Sequence, residues 1–214
     1  MANKISLAVL ISGNGSNLQA IIDNIKNQKL MADIKIVISN NVNAPGLDKA
    51  KASNIKTTCI NHKNFKSREL FDDEIIKVIE DHNVDLIVLA GFMRVLSSKF
   101  VNKYKRKIIN IHPSLLPKYP GLNTHEKVIE NNDIEHGVTV HLVEEGLDSG
   151  PIIGFAKLKI HENEDEESLK KRIHKLEHFI YPKIISEIQE KKIKIKNKIY
   201  HEGNIYKHGK EFFI

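Results

Sequence analysis

Two polar side chains, Asn110 and His112, stand two residues apart at the end of a short apolar run, in Asn110-Ile111-His112-Pro113. In extended backbone alternate residues share a face, so these two point the same way while Ile111 points into the core. The pair sets a neutral amide donor beside an imidazole that holds or releases a proton near neutral pH. Pro113 disfavours the helical region for His112 and so keeps strand geometry up to the loop Ser114-Leu115-Leu116-Pro117-Lys118-Tyr119-Pro120-Gly121. Alone, an Asn-x-His pair is more often a strand end with a surface histidine. The rest of the chain has to decide.

A second constellation lies near the start. The apolar run Ile5 to Ile11 has the pattern of a strand buried on both faces of a parallel sheet, and it ends in Ser12-Gly13-Asn14-Gly15-Ser16-Asn17. Ser16 with Gln19 predicts a capping box, and Leu18, Ile21, Ile22 and Ile25 form one helical stripe. A helix start behind a glycine turn offers free N–H groups and partial positive charge to an anion, and Gly13 and Gly15 let it approach. A phosphate fits there. Leu18 replaces the third glycine of the dinucleotide fingerprint and the P-loop lysine is missing, so a nicotinamide cofactor is disfavoured and a small phosphate ester suits the turn better than a nucleotide.

The elements that must position these residues alternate. Strands are predicted at Ile34–Ser39, Ile55–Ile60, Asp85–Ala90 and Lys107–Ile111, and helices at Pro45–Ser53, Ser67–His82 and Ser97–Tyr104. In the third of the chain's helices, Leu70, Phe71, Ile75, Val78 and Ile79 make the apolar side. Such alternation implies an α/β fold with a Rossmann-like, doubly wound, mainly parallel sheet that binds ligands beyond the carboxyl ends of its strands. Gly13–Ser16, Gly91–Leu96 and Asn110–Gly121 then share one rim, and the apolar Phe92 and Met93 suggest a pocket wall for a flat ligand.

Beyond the proline loop, Asn123 and Glu126 predict another capping box. Strand Gly137–Val143 puts Thr139 and His141 opposite Val138, Val140 and Leu142, and a turn leads to strand Ile152–Ile160. A long helix, Asp165–Glu190, carries Leu169, Ile173, Leu176, Ile180 and Ile184 on one stripe and is expected to kink at Pro182. Glu177 sits on the margin of that stripe, where a carboxylate needs a partner or a polar ligand. The C-terminal half thus extends the sheet with antiparallel strands and a kinked helix, and Ile193–Ile199, with alternating lysines, reads as a small hairpin or edge strand.

With 214 residues the chain fits one domain, taken as 1–190 with halves at about 1–100 and 101–190, followed by a tail at 191–214. The formal charge of +6 is mostly lysine spread along the chain rather than clustered, which argues against nucleic acid as a partner. Ile5 to Ile11 is too short for a signal-peptide core or a membrane span, so a cytoplasmic protein without a membrane role is expected. The single cysteine, Cys59, lies in the run Thr57–Ile60 and is expected to be a buried thiol. His125, His136 and His141 lack tight ligand spacing, so no metal is expected, and of the three His141 is the one best placed to border the site.

The segments Ser12–Gln19, Gly91–Arg94, Asn110–Gly121 and Leu147-Asp148-Ser149-Gly150-Pro151, in that order, resemble the phosphoribosylglycinamide formyltransferases, a folate-dependent family of purine (IMP) biosynthesis, with the likeness running from about Ile5 to Ile188. The resemblance implies 10-formyltetrahydrofolate and 5-phosphoribosylglycinamide as substrates and Asn110, His112 and Asp148 as the catalytic trio. Donors aimed at the formyl oxygen would lower the barrier, and Asp148 would raise the pKa of His112 and order a water that relays the proton. The same resemblance gives Gly15, Ser16, Asn17 and Glu177 to phosphoribosylglycinamide. It gives Arg68, Met93, Arg94, Val95, Leu96, Asn110, Glu144, Glu145, Gly146, Leu147 and Asp148 to the folate, with His174 a looser contact. Only small-molecule substrates are implied, for a monomer or weak homodimer. Methionyl-tRNA formyltransferase would show Arg-Gly where this chain has Tyr119-Pro120-Gly121, and formyltetrahydrofolate deformylase would add a regulatory domain. A non-catalytic Rossmann-type phosphate module would leave Asn110, His112 and Asp148 unassigned.

Overall fold

Strand β1 (Ile5–Ile11) is apolar enough to be buried on both sides, and its last five residues are fully sequestered from solvent in the computed structural model. The structure describes residues 4–213; the first three residues of the expected 1–190 domain and the last of the 191–214 tail lie outside the described residues. The chain divides into two compact units between Asn110 and Ile111.

In the first unit β1 lies between parallel neighbours β2 (Ala32–Ser39) and β4 (Leu86–Leu89), with β3 (Thr57–Cys59) beyond β2 and β5 (Ile108–His112) beyond β4. The order β3-β2-β1-β4-β5 reverses direction at β1. Right-handed crossovers therefore send α1 (Ser16–Lys26) and α2 (Pro45–Ala52) to one face and α3 (Arg68–Glu80) and α4 (Ser98–Lys103) to the other, the doubly wound arrangement expected. In the second unit α5 (Thr124–Glu130) leads to β6 (Glu135–Leu142), antiparallel to β7 (Ile152–Lys159), and both pack against α6 (Glu166–Gln189). β8 (Ile193–Ile195) and β9 (Ile199–His201) form an antiparallel hairpin, and β10 (Lys210–Glu211) runs parallel to β7 at Gly154 and Phe155. Pro182 lies inside α6, so position 182 offers no N–H to the carbonyl one turn back. All five residues expected on the apolar stripe of α6 are buried.

Several local expectations need correction. Helix α1 begins one residue earlier than a Ser16 cap requires: Gly15 is the N-cap, in the left-handed region at φ 68°, and no side chain caps the helix. Asn123 caps α5 in the same left-handed way, at φ 58°, again without a side-chain hydrogen bond. Gly15 has no side chain to cap with, and Asn123, entered at positive φ, makes no side-chain hydrogen bond to the first N–H groups. Along α3 the stripe is rotated: Leu70 is half exposed, while Ile76 and the acidic Asp72 are buried with Phe71, Ile75 and Ile79. Cys59 is exposed, because β3 is a three-residue edge strand and Ile60 takes the inward position instead.

The glycine turn owes its shape to a close approach of two helix starts. Gly46, in the first turn of α2, donates its N–H to Gly13 O at 3.1 Å, and a Cβ at Gly46 would meet Ile11 Cδ1 at 2.6 Å and Gly15 Cα at 3.2 Å. Gly46→Ala should therefore cost about 1–3 kcal/mol of stability through overpacking. Urea denaturation measures it, and an unchanged midpoint would contradict this packing.

Candidate active site

His112 ends β5 and is only 5% exposed. Its Nε2 lies 2.8 Å from Tyr119 O; a carbonyl only accepts, so Nε2 carries a proton there. Nδ1 faces Asp148 Oδ2 at 3.3 Å. That oxygen also accepts the backbone N–H of Gly121 at 2.9 Å, and the other carboxylate oxygen lies 3.6 Å from His141 Nε2. The ring of His141 is fixed in turn at Nδ1 by Leu142 O, 2.8 Å away. Asp148 sits in the left-handed region at φ 48°, a conformation Asp tolerates better than most residues.

The proline loop that supplies Tyr119 and Gly121 is tied at nearly every residue. Ser114 N–H donates to His112 O, Ser114 Oγ donates to Lys118 O at 2.6 Å, and Thr139 Oγ1 donates to Ser114 O at 2.6 Å while accepting from Leu116 N–H. The Leu116–Pro117 bond is cis. Tyr119 Oη and Lys118 Nζ both reach the carboxylate of Asp133. Thr139, placed by strand alternation on the same face as His141, is thus the underside of the loop.

Burial pulls the pKa of His112 down, outweighing the lift from the Tyr119 carbonyl and the Asp148 carboxylate; nearby His141 and Lys127 pull the same way. The expected rise is therefore corrected: the carboxylate acts upward, but a ring 5% exposed loses more by desolvation. Burial also pushes Asp148 up, yet His141, the Gly121 N–H and the charge of His112 together leave it below the ordinary carboxylate value. Each group thus favours the charged form of the other: the carboxylate lifts the ring and the ring lowers the carboxylate. Protonation of Nδ1 would satisfy both.

Behind this pair, His125 Nδ1 and His136 Nε2 stand 3.0 Å apart, and burial holds both pKa values at about 4. Among the described residues no group of three or more His, Cys, Asp or Glu is arranged to hold a metal ion.

Asn110 precedes His112 by two residues on β5 and is half-buried. On the turn before β7, Glu144, Glu145, Gly146 and Leu147 are exposed. Glu177 is 6% exposed on α6, and His174 stacks on His178 with ring centroids 6.1 Å apart.

In the first unit Gly15 and Asn17 are buried and Ser16 half-buried at the start of α1, with Lys49 Nζ holding Asn14 O at 2.7 Å. In Gly91–Leu96 the side chains part: Phe92 and Leu96 turn inward, at 9% and 7% exposed, while Met93, Arg94 and Val95 face solvent. Phe92 therefore anchors the loop from within. Arg68 is exposed at the first turn of α3. Reading the sequence missed the backbone groups of Tyr119 and Gly121, which carry no side-chain signal. It also missed Ser12 and Asp72, single polar residues with nothing periodic to mark them.

The folded values of His125 and His136 lie below the unfolded histidine value of about 6.5, so between pH 6.5 and 4 the unfolded chain binds more protons. Their contribution to stability is complete above about pH 6.5 and is lost as the pH falls toward 4. Urea midpoints should drop by the equivalent of a few kcal/mol (order of magnitude) over that range, and His136→Gln should flatten the slope. An identical slope in the variant would refute the assignment.

The formyl transferase family model matches residues 5–185 of the chain. The chain is 46% identical to phosphoribosylglycinamide formyltransferase of Escherichia coli K12 over 190 residues, covering 89% of this chain and 90% of that one. It is likewise 46% identical to the Homo sapiens trifunctional purine biosynthetic protein adenosine-3, of which it spans only 18%. The solved phosphoribosylglycinamide formyltransferase from Coxiella burnetii, 45% identical, superposes with a TM-score of 0.94 and covers 98% of this chain and 100% of that one. An α/β fold of this topology, a motif-bearing β5 and likeness along the whole length agree: the chain belongs to the formyl transferase family, among its phosphoribosylglycinamide formyltransferases.

Proposed function

We propose that this enzyme transfers the formyl group of 10-formyltetrahydrofolate to the amine of 5-phosphoribosylglycinamide, and that Asn110, His112 and Asp148 carry the chemistry. The observation that carries the site assignment is the buried His112–Asp148 pair, built at the end of the strand that bears Asn110.

The amine nitrogen forms a bond to the formyl carbon, and charge collects on the formyl oxygen. The bond from that carbon to folate N10 then breaks, and the proton lost by the amine ends on N10. Asn110 offers a neutral N–H to the formyl oxygen. His112, once protonated at Nδ1, is a stronger donor. Both its ring nitrogens face protein groups at rest, so donation to substrate requires the ring to exchange its bond to Tyr119 O for one to the oxyanion. Asp148 keeps the imidazolium paired and holds a water that moves the proton from amine to N10.

The start of α1, at Gly15, Ser16 and Asn17, takes the ribose phosphate, and Glu177, buried on α6, engages the glycinamide end. Arg68, Met93–Leu96, Asn110 and Glu144–Asp148 receive the folate. No resident metal or nicotinamide enters the scheme. We place the reaction in the cytoplasm, carried out by a monomer or weak homodimer acting on small molecules. No helix among the described residues is long and apolar enough to cross a membrane.

His112→Ala and Asp148→Asn should each lower kcat by roughly 10²–10⁴-fold while the folate Kd stays within a few-fold, measured by formyl transfer and by titration. Glu177→Gln should instead raise KM for phosphoribosylglycinamide. A wild-type protein that binds folate but makes no formylated product would overturn the assignment.

A further inference from the structure

Ser12 is the last residue before the glycine turn, and its hydroxyl is committed in two directions. It donates to Asn40 Oδ1 at 2.6 Å and accepts the backbone N–H of Met93 at 2.7 Å. Its backbone N–H also donates to Gly91 O at 3.1 Å, and Asn41 Nδ2 reaches its carbonyl at 3.3 Å. Asn40 is 5% exposed and is held from its far side by His62, whose Nδ1 lies 3.2 Å from Asn40 Nδ2. The hydroxyl therefore cannot turn to a new partner without giving up one of these two hydrogen bonds. It joins the start of the phosphate turn to the segment carrying Met93, Arg94 and Val95.

The far end of that segment is pinned independently. Ser97 N–H donates to Asp72 Oδ2 at 2.6 Å, and Ser97 Oγ caps α4 by accepting from Phe100 N–H. Asp72 is 1% exposed, and its Oδ1 has no partner among the described residues. The 91–97 segment is thus held at one end by an ionisable group on α3 and at the other by a hydroxyl from the turn. Of these two side-chain pins, the second leads toward the phosphate turn, beside the backbone bond from Ser12 N–H to Gly91 O.

We propose that Ser12 is a positioning residue that couples binding of the two substrates. A phosphate that orders residues 13–17 also orders Ser12, and through it the N–H of Met93; a folate seated on Met93–Val95 orders the turn in return. Each ligand then lowers the ordering cost met by the other, by the same factor in both directions. The proposal rests on the reading of Gly15–Asn17 as the phosphate site and of Met93–Leu96 as folate contacts.

Calorimetric titration with phosphoribosylglycinamide and tetrahydrofolate tests it, since the folate lacks the formyl group and no turnover occurs. In the wild type, saturation with either ligand should tighten the other by about fivefold. Ser12→Ala should bring that factor to about one in both directions, and Ser12→Thr, which keeps the hydroxyl, should restore it. Asp72→Ala, which frees the other end of the segment, should weaken tetrahydrofolate alone and leave the factor in place. The proposal fails if the wild-type factor is one, if Ser12→Ala keeps it, or if Asp72→Ala removes it equally. Should Ser12→Ala not fold, hydrogen exchange in the wild type decides: phosphoribosylglycinamide alone should slow exchange at the Met93 amide, and unchanged exchange would overturn the coupling. Failure of the underlying reading looks different, because the wild type would then not bind the two ligands at all.

Discussion

A carboxylate whose side chain is 9% exposed cannot stand alone, and much of the second unit is arranged around the one on Asp148. Its oxygens gather the Gly121 N–H, the ring of His112 and the ring of His141. Those partners come from three different parts of the chain: the proline loop, the end of β5 and the end of β6. Satisfying one buried charge therefore fixes where those three segments meet. The bulge between Val140 and His141 and the left-handed backbone of Asp148 are local departures from regular structure that accompany this convergence.

The same reasoning explains why the segment after His112 is not a linker. A loop with three prolines has few N–H groups to satisfy, and here Thr139 Oγ1, the Asp148 carboxylate and the carbonyls of His112 and Leu115 accept from most of them. The outer side is held by Asp133, which engages both Lys118 and Tyr119. Tyr119 O is thereby a fixed acceptor, and the orientation of His112 follows from it. The ring is placed by backbone; its protonation is decided by burial against charge.

Much of this was legible from residue types. Apolar runs located β1, β2 and β4, and the heptad-like stripe of α6 was right because long, strongly periodic segments leave little choice of buried face. Asn110 and His112 stood out because strand alternation gives a direction to each side chain. The capping boxes at Ser16 and Asn123 misled because a motif presumes β-region backbone, and both helices are entered at positive φ. Cys59 misled because burial of an apolar run depends on whether its strand is central or at the edge, which only the pairing order decides. The balance at His112 was not readable either: a neighbouring carboxylate shows in a motif, whereas desolvation is a property of everything packed around the ring.

The strand β10 lies outside the stretch matched by the family model, yet it covers the free edge of β7, with Phe212 laid against Gly154 and His201 Nε2 donating to Ile153 O. About fifty residues separate β7 from β10 along the chain. At roughly 5–20 residues per second of synthesis, β7 spends several seconds with unpaired N–H and C=O groups that any neighbouring nascent strand could take. The long α6 and the β8–β9 hairpin are made in that interval. The enzyme's hazard during biogenesis is thus set less by its reaction centre than by how late the chain supplies the strand that closes its own sheet.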